Sequence, residues 1–450
     1  MKSGVRLKLL RRTLRERRVL AQYVHELQVP GLLSEKGEYT TDIIDIMASV
    51  VMACPNLERL VGFHPTYHHT FNRLTHALST RTKLKERVWI IGENQEITTR
   101  SQYQLPPGLM DMAQASSFIQ AHDAWTSLTT LFLYARPNAV LEHDIFISVF
   151  ERLPSLTHLA ISSFDIDDFN DDTLMSLPPL IALRLESLPG LTSNGLSRFV
   201  SSLAATPLRS VSLLDLNIDS VLLLSKFFAS LNYLTRFTFA QETCPLLDTS
   251  ELIFQPLLAS NTLTHLHWDI LQAAEPSEDH LAHSIRANGF PALRALRAPS
   301  DPHGSLQVLC KPRPQITLPS DKYKGSSSAT SVTKNPKSLH TARAAAQARL
   351  EAARKTTLFK IVVDEGGLVS QIYDLPGFMG TVGSKVEYIL RSDVPGGEEA
   401  LAGWGDIGGR EERAREGCTG LWNASHAAGK KWWWHGERER RKMVELERFF

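Results

Sequence analysis

Histidines gather in one stretch of the chain, GFHPTYHHTFNRLTH, at His64, His68, His69 and His76. Imidazoles four residues apart share one face of a helix and could hold zinc. Pro65 stops a helix there, and no acid follows at the spacing of a metalloprotease general base, so no metal is assigned. Aspartates gather in DIDDFNDDTLMS, a composition that would suit calcium. A calcium loop needs an oxygen ligand at its fifth position, Gly at the sixth and Glu at the twelfth; here those places hold Phe169, Asn170 and Ser176. The stretch reads as a polar loop capping the next helix. Glycines gather in GFMGTVGSK, where Gly377, Gly380 and Gly383 precede Ser384 and Lys385. A phosphate loop has Lys ahead of its Ser or Thr and a different glycine spacing. No Gly-x-Ser-x-Gly elbow occurs either. No catalytic residue and no cofactor is assigned, and the chain is expected to be non-enzymatic.

The chain has 450 residues, 43% of them apolar, and a net charge of +1 from 49 basic and 48 acidic groups. That balance gives no bulk reason for nucleic acid or an anionic membrane as partner. Cys54, Cys244, Cys310 and Cys418 stand far apart with no Cys-x-x-Cys pair, which argues against a zinc ribbon or a disulfide framework and for a reducing, intracellular setting in cytoplasm or nucleus. No window approaches the roughly 20 apolar residues of a membrane span. Residues 2–18 hold eight Lys or Arg against Glu16. They read as a solvated helix with one apolar face made by Leu7, Leu9, Leu10, Leu14, Val19 and Leu20.

The chain repeats itself. The spacing apolar-x-x-apolar-x-apolar occurs at Leu128/Leu131/Leu133, Leu156/Leu159/Ile161, Leu180/Leu183/Leu185 and Leu208/Val211/Leu213. It continues at Leu234/Phe237/Phe239, Leu263/Leu266/Trp268 and Leu293/Leu296/Ala298, with steps of 28, 24, 28, 26, 29 and 30 residues between first positions. Upstream it is looser, at Val24/Leu27/Val29, at Leu57/Leu60 before Gly62, and in a stretched form at Leu84, Val88 and Ile90. The following step of 44 residues contains GENQEITTRSQYQLPPG, read as an insertion near 91–120.

A helical pattern precedes each template: Ile145, Phe146, Val149, Phe150 and Leu153 lie on one side, as do Leu196, Phe199, Val200 and Leu203, then Val221, Leu224, Phe228 and Leu231. Pro154, Pro178, Pro207 and Pro291 stand just ahead of strands, where a helix must have ended. Thr192 or Ser193 can cap the helix after the Pro-Gly turn. Gly289 is expected at a left-handed helix end. One strand plus one helix cannot bury its own leucines, whereas stacked copies share a continuous core and curve, because helices are wider than strands.

This pattern resembles the leucine-rich repeat in its longer form of about 26 to 29 residues, with a full helix on the convex side. LPGLTSNGLSRFVSSL is similar to the helix start of the cysteine-containing repeats of F-box proteins, although Phe164, Leu188 and Leu216 stand where shorter repeats place Asn or Cys. LLRRTLRERRVLAQYVHELQVPGLL followed by CPNLERLVGF resembles the opening of fungal F-box and leucine-rich-repeat proteins, and the likeness runs over roughly residues 9 to 300. The resemblance implies an α/β leucine-rich-repeat solenoid with parallel strands on the concave face and helices on the convex face. It also implies that the repeats select a protein substrate for a cullin-type (SCF) ubiquitin ligase. An F-box opens with a Leu-Pro-x-Glu type segment. The 19 or so residues ahead of the first repeat contain none. The chain is therefore read as truncated, mis-started or one that has lost the box, and the Skp-type adaptor is not expected to bind it.

Four regions follow: a basic helix at 1–19, a solenoid of about ten repeats at 20–300, a linker at 301–357, and a small β-rich carboxy-terminal module at 358–450. The linker holds the polar run KGSSSATSVTKNPKSLH and an Ala-rich helix at 341–355, and it is basic without being read as a nucleic-acid site. LFKIVVDEGGLVSQIY reads as two strands about a Gly-Gly turn and SKVEYILR as a third. Trp422, Trp432, Trp433 and Trp434 are expected to pack the module on itself or on the last repeat.

Side chains between the template leucines face the concave surface. Candidate contacts there are Phe132, Tyr134, His158, Arg184, Glu186, Arg236, His265, His267, Asp269 and Arg297, with Arg59, Val61 and Phe63 further back. Aromatic and Arg anchors carry most binding energy at protein interfaces. The expected function is protein recognition on this face, as the substrate-binding portion of a ubiquitin ligase receptor or, alternatively, as a scaffold or regulator unconnected with ubiquitin.

Overall fold

Each template becomes a strand. In the computed structural model the described residues are 2–29, 39–94, 109–247, 256–270, 275–298, 305–311, 360–365, 368–374, 380–381, 383–388, 404 and 446–450. The strands are β1 (Glu26–Gln28), β2 (Arg59–Val61), β3 (Thr66–Tyr67), β4 (Glu86–Ile91), β5 (Thr130–Ala135), β6 (His158–Ser162), β7 (Ala182–Glu186), β8 (Ser210–Leu214), β9 (Arg236–Gln241), β10 (His265–Ile270) and β11 (Ala295–Arg297). Further on come β12 (Lys360–Glu365), β13 (Leu368–Asp374) and β14 (Glu387–Tyr388). The helices are α1 (Lys2–Glu16), α2 (Arg18–Gln22), α3 (Thr41–Ala53), α4 (Arg73–Ser79), α5 (Met112–Gln120), α6 (His143–Glu151), α7 (Asp171–Met175), α8 (Ser193–Val200), α9 (Val221–Ser230) and α10 (Glu275–Arg286).

Strands β3 to β11 lie side by side in chain order, and every pairing is parallel. The register never slips: Leu131, Leu159, Leu183, Val211, Phe237, Leu266 and Leu296 face one another in a single row. A slip of one residue would turn each of these core side chains onto the opposite face. The chain is thus an α/β leucine-rich-repeat solenoid. Buried faces of α6 (Ile145, Phe146, Val149, Phe150), α8 (Leu196, Phe199, Val200) and α9 (Val221, Leu224, Phe227, Phe228) close the core from the convex side.

Two local devices recur. A threonine after the first template leucine donates its hydroxyl to the preceding repeat: Thr129 to the Lys85 carbonyl, Thr157 to Thr129, Thr235 to Arg209 and Thr264 to Thr235, at 2.8 to 3.1 Å. After the strand, Ser163, Ser187 and Asp215 take positive φ of 64°, 51° and 52°. This left-handed step turns the chain away while its N–H still reaches the next repeat, as Ser163 does to the Glu186 carbonyl at 3.0 Å. Thr192 is the residue that caps α8, accepting the Gly195 N–H at 3.0 Å. Asn170 caps α7 with two such bonds, so the aspartate-rich loop does its work as a helix start.

Several expectations change. The third upstream repeat is not a stretched Leu84/Val88/Ile90. Arg87 pairs with Leu131 and Trp89 with Leu133, so the true inward set is Leu84, Arg87 and Trp89, and Val88 and Ile90 face outward. Phe63 is not on the concave face but buried against Tyr39, with ring centroids 4.3 Å apart. Chain direction changes at Gly62, whose φ of 75° suits a residue without a side chain; β2 runs beside the start of β4 and β3 beside its end. At the end of α10 the left-handed residue is Asn288, not Gly289. Gly289 is needed for close approach instead, since a Cβ there would sit 2.4 Å from the Leu258 carbonyl oxygen. Of the six residues expected on the apolar face of the amino-terminal helices only Leu14 is buried and Leu7 partly so, because only one edge of α1 meets α3; Leu9, Leu10, Val19 and Leu20 are exposed.

The expected hairpin exists, with β12 and β13 antiparallel. The third strand does not join it: β14 pairs with β11 and extends the solenoid sheet, with the Tyr388 hydroxyl donating to the Ala298 carbonyl at 2.6 Å. Residues 112–120 form α5, closed by a reciprocal capping box of Asp111 and Gln114. The Ala-rich helix, Trp422, Trp432, Trp433 and Trp434 lie outside the described residues. No helix among the described residues is long and apolar enough to cross a membrane.

Candidate functional site

Alternation along each strand sends the residues between the template leucines to the concave face. The central outward row reads Val88, Phe132, Ala160, Arg184, Ser212, Thr238, His267 and Arg297. Tyr134 and Glu186 lie in the row toward the strand ends, with Asp269 in the same row; His158, Arg236 and His265 lie in the row toward the strand starts. All ten residues expected on this face therefore stand on outward positions of one sheet. The face has two halves. From β4 to β6 it is apolar and aromatic; from β7 to β11 it is polar and cationic.

The apolar half is covered by the chain itself. Phe449 and Phe450 lie against Phe132, each 5.3 Å between ring centroids, and Trp404 meets it edge-on at 5.7 Å. Trp404 also stacks on Tyr134 at 4.9 Å with 16° between planes. The Phe450 ring meets His158 at 5.4 Å. Leu446, Phe449 and Phe450 form one buried cluster with Val88, Phe132, Ala160 and Ala182, separate from the solenoid interior. Phe132 is fully buried as a result, and Arg184 is only 2% exposed.

Arg184 sits where the halves meet. Its guanidinium donates to Glu186 at 2.7 and 3.0 Å, lies 5.2 Å from the centre of the Phe449 ring, and reaches the Phe449 carbonyl at 3.4 Å. Glu186 also accepts the Trp404 indole N–H at 3.1 Å. The Ser210 hydroxyl donates to the main-chain oxygen of Phe450. Beyond this point Arg236 and His265 are exposed and Asp269 and Arg297 half-buried. His267 is buried, which together with nearby Arg297 pushes its pKa down to about 3 and keeps it neutral.

Sequence reasoning missed Val88, Ile90, Ala160, Ala182, Ser210, Trp404 and the segment 446–450. One signal was present: apolar or small residues at outward positions of three successive strands, where a solvated sheet would carry polar ones.

Beneath the first repeats lies a second concentration of polar groups, enclosed in the core. Arg87 stands in the leucine row with its guanidinium carbon 4.0 Å from the centre of the Trp89 ring. The His122 Nδ1 is 2.8 Å from the Phe118 carbonyl, which can only accept, so Nδ1 carries the proton and Nε2 accepts the Trp89 indole N–H at 3.2 Å. Burial pushes His122 and His64 down to about 3 and Arg87 down to about 9. The four histidines of the GFHPTYHH stretch diverge. His64 is buried, His69 bonds the Gly92 carbonyl at 2.8 Å, His68 lies 3.2 Å from the Glu93 carbonyl, and His76 is exposed on α4. Among the described residues no three His, Cys, Asp or Glu side chains gather as metal ligands would.

No family model matches the chain, and no curated protein matches it. Solved structures similar to it include the leucine-rich-repeat-containing protein LegL7 from Legionella pneumophila, at 15% identity and TM-score 0.35 over 61% of this chain and 83% of that one. An internalin, InlF, from Listeria monocytogenes aligns at 12% identity and TM-score 0.33 over 67% and 84%. TLR13, in its complex with ssRNA13, aligns at 15% and 0.34 over 64% and 37%. The solenoid assignment stands on the unbroken parallel ladder and its constant register.

Proposed function

We propose that the chain is a non-enzymatic recognition solenoid whose concave face holds a protein partner. The observation that supports this reading is that β4 and β5 carry large apolar and aromatic side chains on the outer face as well as on the inner one. The inner face builds the core, and the outer one carries Val88, Ile90, Phe132 and Tyr134. A sheet with a solvated face alternates apolar with polar residues; a second apolar face suits a macromolecular contact. The adjoining Arg236 and His265 supply the polar rim typical of protein interfaces. The finer reading is the substrate-binding portion of an F-box type ubiquitin ligase receptor, supported by the sequence resemblance over residues 9 to 300.

Affinity capture with the full chain tests this. Proteins captured by the wild type are expected to be lost with Arg236→Glu combined with His265→Glu, and kept with a convex control such as Arg198→Glu. A captured set indifferent to the concave change overturns the proposal. Depleting the chain from cells should lengthen the lifetime of a captured substrate if the ligase reading holds; unchanged lifetimes leave a scaffold.

A further inference from the structure

The geometry points to a peptide-docking groove on the apolar half of the concave face, selective for two consecutive aromatic side chains. We infer that residues 446–450 occupy this groove in cis and must be displaced by an incoming segment of the same chemistry. The inference rests on reading the concave face as the partner surface.

The groove is shaped for rings. Neighbouring strands lie about 4.8 Å apart, and the outward residues around its floor are Ala160 and Ala182, flanked by the larger Phe132, His158 and Arg184. Two alanines on adjacent strands leave a notch between bulky neighbours. Phe449 and Phe450 share one buried cluster with both alanines. Edge-on ring contacts to Phe132 and His158 favour aromatic over aliphatic occupants.

The polar contacts read backbone. Arg184 donates to the carbonyl of Phe449 and Ser210 to the main-chain oxygen of Phe450. Neither bond depends on which side chain the occupant carries, so any chain that places two rings in the notch can make both. Glu186 fixes Arg184 in place and holds Trp404 against Tyr134, which makes a wall on one side.

The occupant belongs to no repeat. Its bonds to Arg184 and Ser210 span 265 and 240 positions of sequence, and its cluster is separate from the core that the repeats share. The solenoid can therefore release it and stay folded. A peptide suits the groove better than a nucleic acid: bases could stack on Phe132, but the cation beside it is already paired with Glu186 and is not free to hold a phosphate.

The test uses four full-length proteins and a fluorescein-labelled peptide of residues 443–450, followed by anisotropy. The peptide should bind Phe449→Ser/Phe450→Ser at least tenfold more tightly than the wild type, whose groove is filled. Adding Ala160→Trp to the double variant should weaken binding at least tenfold, and Ala182→Phe serves as an independent block should the tryptophan disturb folding. A peptide with both rings replaced by Ser should not bind. Equal affinity for wild type and double variant, indifference to both blocking substitutions, or preference for a single-stranded oligonucleotide overturns the inference. Failure here with partner capture still lost in the Arg236→Glu, His265→Glu protein removes only the groove assignment; failure here with capture unchanged in that protein removes the function as well.

Discussion

The carboxylate of Asp171 accepts two hydrogen bonds from Thr192, from its N–H at 2.9 Å and from its hydroxyl at 2.6 Å. Asp171 begins α7 and Thr192 caps α8, so a single side chain ties two consecutive helix starts together. A Cβ on Gly195 would lie 1.9 Å from the Asp171 Oδ1. Gly195→Ala gains about 1 kcal/mol of helix propensity but must expel the carboxylate from both bonds, each worth about 1.5 kcal/mol or more to a charged acceptor. The expected net effect is a loss of about 2 kcal/mol or more in urea denaturation. In an Asp171→Ala background the same change should become neutral or stabilising. A loss of the same size in both backgrounds would show that the carboxylate is not the obstacle.

Arg87 is a cation in a row of leucines. It is 5% exposed, its Nε has no hydrogen-bond partner, and among the described residues no carboxylate pairs with it. Desolvating a charge costs more than contact with one aromatic ring returns. Arg87→Leu, the residue type its neighbour Leu131 already supplies, should raise stability by about 1 to 3 kcal/mol. A lower urea midpoint would mean the guanidinium is better served in the core than its contacts indicate.

Acid should loosen the fold before most carboxylates titrate. His64, His122 and His267 are held at about 3 by burial, against an ordinary value of 6.5. Between those values the unfolded chain binds protons that the folded one refuses. Their stabilising contribution is complete above pH 6.5 and falls as pH drops toward 3, by up to about 1.4 kcal/mol per unit for each histidine. Asp168 acts in the opposite sense: burial raises it to about 6, so it favours the folded state at low pH and loses that contribution as pH rises from 3.8 to about 6. Three groups against one leave a net decline on acidification. Urea midpoints at pH 7.5, 6 and 4.5 should fall in that order, and less steeply in His64→Asn. A flat profile would contradict the neutral, buried assignment.

The solenoid was legible because its leucines are local. Leu128, Leu156, Leu180 and Leu208 need only the next coil to be buried, so their spacing announces strand, helix and stacking together. At β4 the same logic misfired. Val88 and Ile90 are apolar for contact with something outside the repeat, and they outcompeted the true inward pair of Arg87 and Trp89. The occupied groove was illegible for a related reason: Phe449 and Trp404 meet Phe132 and Tyr134 across hundreds of positions, and no period links them. The concave positions themselves could be read, since alternation along a strand fixes them, but not which of them would be covered.

The last strand of the sheet, β14, comes 90 positions after the Ala298 carbonyl to which its Tyr388 donates. A fragment trimmed at the final leucine near residue 300 would leave β11 with a naked border of amide groups, an invitation to pair with another molecule. The natural cutting point for producing the solenoid alone therefore falls beyond residue 388, not where the repeats fade.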